Sequence, residues 1–594
     1  MAISKPSVKH IVFILIILIS FTRVRAQIYQ VSPGPLKPRI GVEFSKLSNS
    51  WDWMTRMQLS KGDNNAWFWQ VNETFHSNLL IPVVGHKAWR DENFMDGVIY
   101  RQFNNFSSGA YFKSWYQSDK QVSADNQFGN HILGFSASYQ KDNRINLTPF
   151  LGYQQSKNRT LIDWGWDVGM RGNFQNLKMD IYTANIDFLT SYDIFEERQN
   201  HDNNFSVKLS GRFSPITRDS LNIDYDESQR EYFSTGAESI IRSRIEKKRL
   251  LNTLYYDLSP RNLFLLRTNL QSRKISYYTD RDIFFIENQL RYMHLANRFQ
   301  YGFSLRTNDE TQTTSDIRTD SRTRQTAMDL NSKYIYNPNN SFDLSLAYIK
   351  LQYDTPDSVY NNNDRDEQRF VATLLYYHRF SPVLWLNFYA YTYFFHQIYI
   401  FRERSIDNNW NNIYKLNPRV IYRDKNVRNQ LSAQVLANYT IYDFDTPETP
   451  LNSFLFRKFV LADSALIKLY GAIHGGINFR IELEDKGNFY PQIFAQRVIE
   501  SYKVTFYDFF LMNRSFFNFK LTLGYTIFER RQWKHIPEKV LSRIHKNSGP
   551  YIRAFYNLNR GLYFSLYTAF SVINDSYRPT ENYASGYLSL HYTF

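Results

Sequence analysis

Apolar and polar residues alternate at a period of two through most of this chain, and that period constrains its fold more than any other feature. Strict alternation over about ten residues marks a half-buried strand, whereas a helix needs apolar residues three and four apart. Phe205, Val207, Leu209, Gly211 and Phe213 alternate with Ser206, Lys208, Ser210 and Arg212. The same pattern holds from Phe299 to Arg306, Leu431 to Tyr439, Phe517 to Tyr525 and Leu562 to Phe570. It recurs with faults from Phe264 to Arg273 and from Phe342 to Tyr348. A soluble antiparallel sheet alternates too. It seldom does so along the whole chain with no helical domain between, so the pattern predicts one very large sheet.

The two ends agree with that reading. Counting back from Phe594, alternate residues are Tyr592, Leu590 and Leu588, interleaved with Thr593, His591, Ser589 and Tyr587. A strand with one greasy face and an aromatic carboxy terminus resembles the assembly signal of Gram-negative outer-membrane barrels, whose last strand closes against the first. At the other end, Lys5 and Lys9 precede an almost wholly apolar run from Ile11 to Phe21, and Val24-Arg25-Ala26 offers a cleavage site. Residues 1–26 are therefore expected to be a signal peptide, with 27–594 forming the barrel. The alternative is an amino-terminal anchor, but the run is short of the roughly 20 residues that span a bilayer.

Composition excludes other classes. The 594 residues contain no cysteine, so no disulfide or thiolate metal site is expected. Mean hydropathy is −0.50, which a membrane protein can show if only alternate strand residues face lipid. The 44 Tyr and 48 Phe suit aromatic girdles at the two membrane interfaces. No Gly/Ser run, Pro-rich stretch or compositional break suggests a linker.

Short connections read as tight turns at Ser259-Pro260-Arg261-Asn262, Asn337 to Asn340, Ser381-Pro382 and Asn557 to Arg560. Long charged ones are expected over Thr217 to Glu231, Asn308 to Arg324, Asp354 to Arg369 and Arg402 to Asn412. Outer-membrane barrels put short turns in the periplasm and long loops outside. At roughly 22–26 residues per strand with its loop, the mature chain predicts an all-β, up-and-down, transmembrane antiparallel barrel of about 22–26 strands. Val84 to Asn93 is polar and irregular, and Phe454 to Tyr502 reads as helix or strand.

The sequence offers few candidates for chemistry. It has no G-x-S-x-G elbow, phosphate loop, H-E-x-x-H pair or dinucleotide glycine pattern. No catalytic residue, metal ligand or cofactor is assigned. The near pair His535 and His545 sits in a basic segment and reads as solvated surface. Asp224 to Glu227 and Asn363 to Glu367 offer oxygens for a divalent cation but lack an EF-hand pattern, and a solvated loop is the simpler reading. Lys208, Arg212, Arg306 and Lys520 lie on the polar faces of the cleanest strands, and Arg267 and Arg273 on that of a less regular one. Charge facing lipid near the midplane costs about 2–4 kcal/mol, so these six are expected to point inward and to favour anions.

Net charge is +15, falling to +11 once Lys5, Lys9, Arg23 and Arg25 leave with the signal. Dispersed cations without a nucleic-acid module point to anionic lipid outside and anionic solutes inside. The mature chain thus resembles, at class level, a large Gram-negative outer-membrane β-barrel. It departs from siderophore-type TonB-dependent receptors, because strand-like residues begin at Arg39 to Leu47 and Trp51 to Leu59, without room for a plug. The resemblance implies an integral outer-membrane protein that meets lipopolysaccharide and the barrel-assembly machinery. Three activities stay open: a channel for small, anionic solutes, a non-conducting export-accessory barrel binding a partner protein through its loops, and a surface hydrolase.

Overall fold

The computed structural model describes residues 38–594 except 63–66, 83–85, 122–123, 143, 160, 234–239, 316–319, 358, 360, 446–451, 514–517, 536 and 559–560. The signal segment 1–26 and Asn559-Arg560 fall outside the described residues. Among the described residues, twenty-eight strands, β1 to β28 in chain order, form one sheet. Each pairs antiparallel with the next, and β1 (Arg39–Leu47) pairs with β28 (Arg578–Thr593) to close the barrel. Closure removes the open edge that would expose unpaired backbone groups to lipid. The Phe594 N–H donates to the Pro38 carbonyl at 2.9 Å and completes that seam.

Two-residue alternation becomes two chemically distinct surfaces. On β6 (Ala124–Lys141), Leu133 and Phe135 are 67% and 72% exposed, and Gly134 and Ser136 take the opposite side. Following the pairing from strand to strand puts Leu133, Phe135, Leu209, Leu590 and Tyr592 on one face of the closed sheet. Only lipid can cover so continuous an apolar exterior.

The other face is concave and polar. Tyr111, Gly134, Gly152 and Asp167 form one pairing row across β5 (Phe106–Gln121), β6, β7 (Ile145–Asn158) and β8 (Leu161–Met179). The Tyr111 hydroxyl crosses the two intervening strands to donate to Asp167 Oδ2 at 3.1 Å. A Cβ on Gly134 would lie 2.6 Å from the Tyr111 ring, and one on Gly152 2.8 Å from its hydroxyl, so both positions require glycine.

The two rims differ. Connections on the rim shared by Pro38 and Phe594 include the short turns 260–261, 338–339 and 382–383, each as expected. The opposite rim carries the longest connections, 355–364, 400–408 and 443–453. Turn chemistry is local: in 424–426, the Tyr422 hydroxyl at 2.7 Å and the N–H groups of Val427 and Asn426 hold the Asp424 carboxyl below its ordinary range.

Several expected boundaries move. Thr217 to Glu231 is not a loop but lies within β11 (Thr217–Phe233). Its charged ends disguised it. Asp219, Glu227 and Glu231 take the outer face, where Asn252, Arg244 and Arg242 reach them at 2.9, 2.7 and 2.7 Å. Most of Asn308 to Arg324 is also strand, leaving 315–320 as the connection. Phe454 to Tyr502 forms strands at Phe454–Tyr470, Ile473–Tyr490 and from Ala495 onward, not a helix. Ala88 to Asn93 begins a strand. The total of 28 exceeds the expected 22–26, because many two-residue turns leave less chain per strand than assumed. Among the described residues the longest helical element is the 3-10 turn Arg402–Asp407.

Purified protein in detergent is expected to give a β-rich circular dichroism spectrum, and unboiled samples to migrate apart from boiled ones on SDS gels. A helical spectrum would contradict this architecture.

Candidate solute path

The register assigns each of the six cations to the concave face. Lys208 lies between Asn185 and Asn222. Arg212, near the short-turn rim, donates to the carbonyls of Ser214 at 3.3 Å and Pro215 at 2.8 Å. Arg267 and Arg306 share one row, separated by Gln289, with fully buried Ala327 beyond Arg306. Neighbouring strands lie about 4.8 Å apart, so those two guanidinium stems start roughly 10 Å from each other. Arg273 sits opposite Lys247. The Lys520 ammonium stands 5.4 Å from the centre of the Phe555 ring. His591 also takes the concave face, 3.6 Å from Glu43.

These groups do not form a ring. Five lie between β10 (Gln199–Ser214) and β15 (Phe299–Thr314), and Lys520 stands far round the wall on β25 (Phe519–Lys534). Acids share part of this wall. Asp167, Asp187, Asp193, Asp202, Asp224 and Asp226 occupy the concave face from β8 to β11. Lys247, Arg249, Arg267, Arg273, Arg291 and Arg306 follow from β12 (Ile240–Ser259) to β15. The inner bases Arg171, Lys178, Lys208, Arg212, Arg218 and Arg230 are interleaved with the acids of β8 to β11, whereas cations predominate from β12 to β15.

The richest inner surface was not among the sequence candidates. On β19 (Leu384–Tyr399) the concave face carries Trp385, Asn387, Tyr389, Tyr391, Tyr393 and Phe395. Its neighbour β20 (Asn409–Arg423) adds inward Lys415, Arg419 and Arg423. The β19 sequence hid this, because its outward face is aromatic and apolar too, and the alternation vanishes. A cavity of about 450 Å³ opens here between Asp343, Tyr377, Asn387, Tyr389, Lys415 and Arg419.

Other candidates resolve more simply. Asp364 accepts the Thr355 N–H at 2.7 Å, and Glu367 pairs with Arg365 and Arg369 at 2.9 and 2.5 Å. Asp224 accepts from Ser206 and Asn222 at 2.8 and 2.7 Å. These acidic runs are satisfied by protein donors, and no cluster suited to a metal occurs among the described residues. His535 accepts or donates to Ser501 at 2.7 Å, and His545 faces Asp575 at 3.1 Å, so the two histidines serve different contacts.

A closed antiparallel wall, apolar outside and polar inside, defines an integral outer-membrane β-barrel protein. No protein-family model and no curated protein matches this chain. Its shape is similar to the FrpB iron transporter from Neisseria meningitidis, with a TM-score of 0.39, 9% identity and coverage of 94% of this chain and 81% of that one. It is also similar to the copper transporter OprC, at 0.37, 9%, 94% and 83%. For the siderophore receptor PirA from Pseudomonas aeruginosa the values are 0.36, 9%, 84% and 86%.

Proposed function

We propose that the barrel carries small anionic solutes across the outer membrane. The observation behind this reading is the concave sector from β12 to β15, where the cations Lys247, Arg249, Arg267, Arg273, Arg291 and Arg306 outnumber the inner acids Asp257, Glu287 and Glu310. Fixed positive charge raises local anion concentration and repels cations. In planar bilayers under a KCl gradient, the reversal potential is expected to report chloride over potassium. Replacing Arg212, Arg306 and Lys520 together by Glu should move it toward potassium. A cation-selective wild-type pore, or no shift in the triple variant, would remove the anionic part of the proposal.

One observation favours a second reading, a non-conducting barrel that holds a partner protein. Barrel diameter grows roughly with strand number, and lumens wider than those of porins are found plugged. A wall of 28 strands is wider still. Bilayers that stay silent with correctly inserted protein would support this reading over the channel.

A further inference from the structure

We propose that the inner face of β18 (Arg365–Ser381) to β20 is a binding track for an acidic oligosaccharide, a proposal that rests on the channel reading and names a substrate class for it. The track is built on β19. From Trp385 to Phe395, five of six inward positions are aromatic, and the sixth is Asn387. Tyr389 and Tyr391 lie 6.5 Å apart and nearly parallel at 15°, and Tyr393 and Phe395 lie 6.3 Å apart at 10°. Side chains on one strand face recur about every 6.8 Å, so the column runs along the barrel wall and not around it. All these residues are half-buried, and each ring keeps part of its surface open to the lumen.

Such a strip in a watery lumen leaves apolar area uncovered. The C–H faces of sugar rings can cover it, while their hydroxyls need donors and acceptors at the edges. The flanks supply both: Asn387, Gln397, Asn409, Asn411 and Asn417 all take the inner face beside the rings. Amides can donate and accept, which suits hydroxyls. A phosphodiester polymer would instead require a cation at each repeat.

Acidity follows from the charges. Lys415 stands 5.7 Å from the Tyr389 ring centre, and Arg423 5.9 Å from that of Trp385. Lys415, Arg419 and Arg423 recur every fourth residue along β20, and none has an ion-pair partner among the described residues. Asp343 beside the cavity is held by Lys333 at 3.7 Å, and Arg369 over Phe395 is offset by Glu367. The net local charge is positive, so carboxylates spaced along a sugar chain would find partners without displacing existing ones.

The test is calorimetric titration of the full-length protein in detergent with oligogalacturonate hexamer and with maltohexaose. Saturable binding of the uronate is expected, weakened by salt, with the neutral sugar binding less tightly. Tyr391→Ala with Tyr393→Ala should weaken both ligands about tenfold or more, whereas Lys415→Gln with Arg419→Gln should weaken only the uronate. Gel migration of unboiled samples checks that each barrel is intact. No saturable uronate binding by the wild type overturns the track, as does unchanged affinity in both intact variants or preference for single-stranded DNA. Conductance separates the two proposals. An open pore without sugar binding sinks the track alone, and sugar binding by a silent barrel sinks the channel alone.

Discussion

Deleting Phe594, or replacing it by Asp, is expected to cut the outer-membrane level of this protein about tenfold or more, while its export to the periplasm continues. The expectation combines pattern and geometry. Leu588, Leu590 and Tyr592 share the outward face of β28, Phe594 follows its last residue, and the Tyr592 and Phe594 rings meet edge-on at 4.6 Å. The Phe594 N–H is also the last hydrogen bond of the closing seam. That seam is short: β1 has 9 residues, fewer than any other described strand, and pairs with β28 only from Arg39 to Lys46. Losing one closing contact therefore removes a larger share of the pairing here than at any other strand pair. Asp at this position would add a charge beside lipid. Quantitative blots of separated membranes, with periplasmic material as the control, read the result. Normal outer-membrane levels of either variant would refute an assembly role for this strand end.

Leu209→Arg should destabilise the barrel by about 2–4 kcal/mol, whereas Ser210→Arg should change stability by less than about 0.5 kcal/mol. The two residues are adjacent on β10 and point to opposite faces. Leu209 is the middle of the outward run Phe205 to Phe213, flanked across the ladder by Ala184 and Leu221. A cation there would meet hydrocarbon within the apolar belt. Ser210 lies between Thr183 and Ser220 on the face that already holds Lys208 and Arg212. Urea unfolding of protein refolded into lipid vesicles compares the two. If Ser210→Arg proved the more damaging, the inward and outward faces would be reversed, and the proposed solute path would go with them.

Much of this barrel is legible in residues close together in the chain. Alternation from Phe205 to Phe213 or from Leu562 to Phe570 specifies a strand and divides its faces, because successive side chains must point to opposite sides. Pro260, Pro338 and Pro382 mark turns for equally local reasons, since each fixes a backbone angle. What the tertiary structure decided depends on partners far away in sequence. The charges of β11 read as a loop until Arg242 and Arg244 of the next strand come alongside to pair with them. The strand count followed from turn lengths that a per-strand average overstated.

The aromatic column of β19 shows the limit most sharply. Both faces of that strand are apolar or aromatic, so period alone cannot say which rings meet lipid and which meet water. Register through Arg306, Ala327, Ile349, Arg369 and Phe395 makes that assignment. One residue of slip at any of those ladders would exchange the two faces. The sequence by itself determined that this chain alternates, turns and is greasy on alternate positions. Only closure of β1 on β28, and the register carried around all the strands between, decided which alternate positions face the lumen.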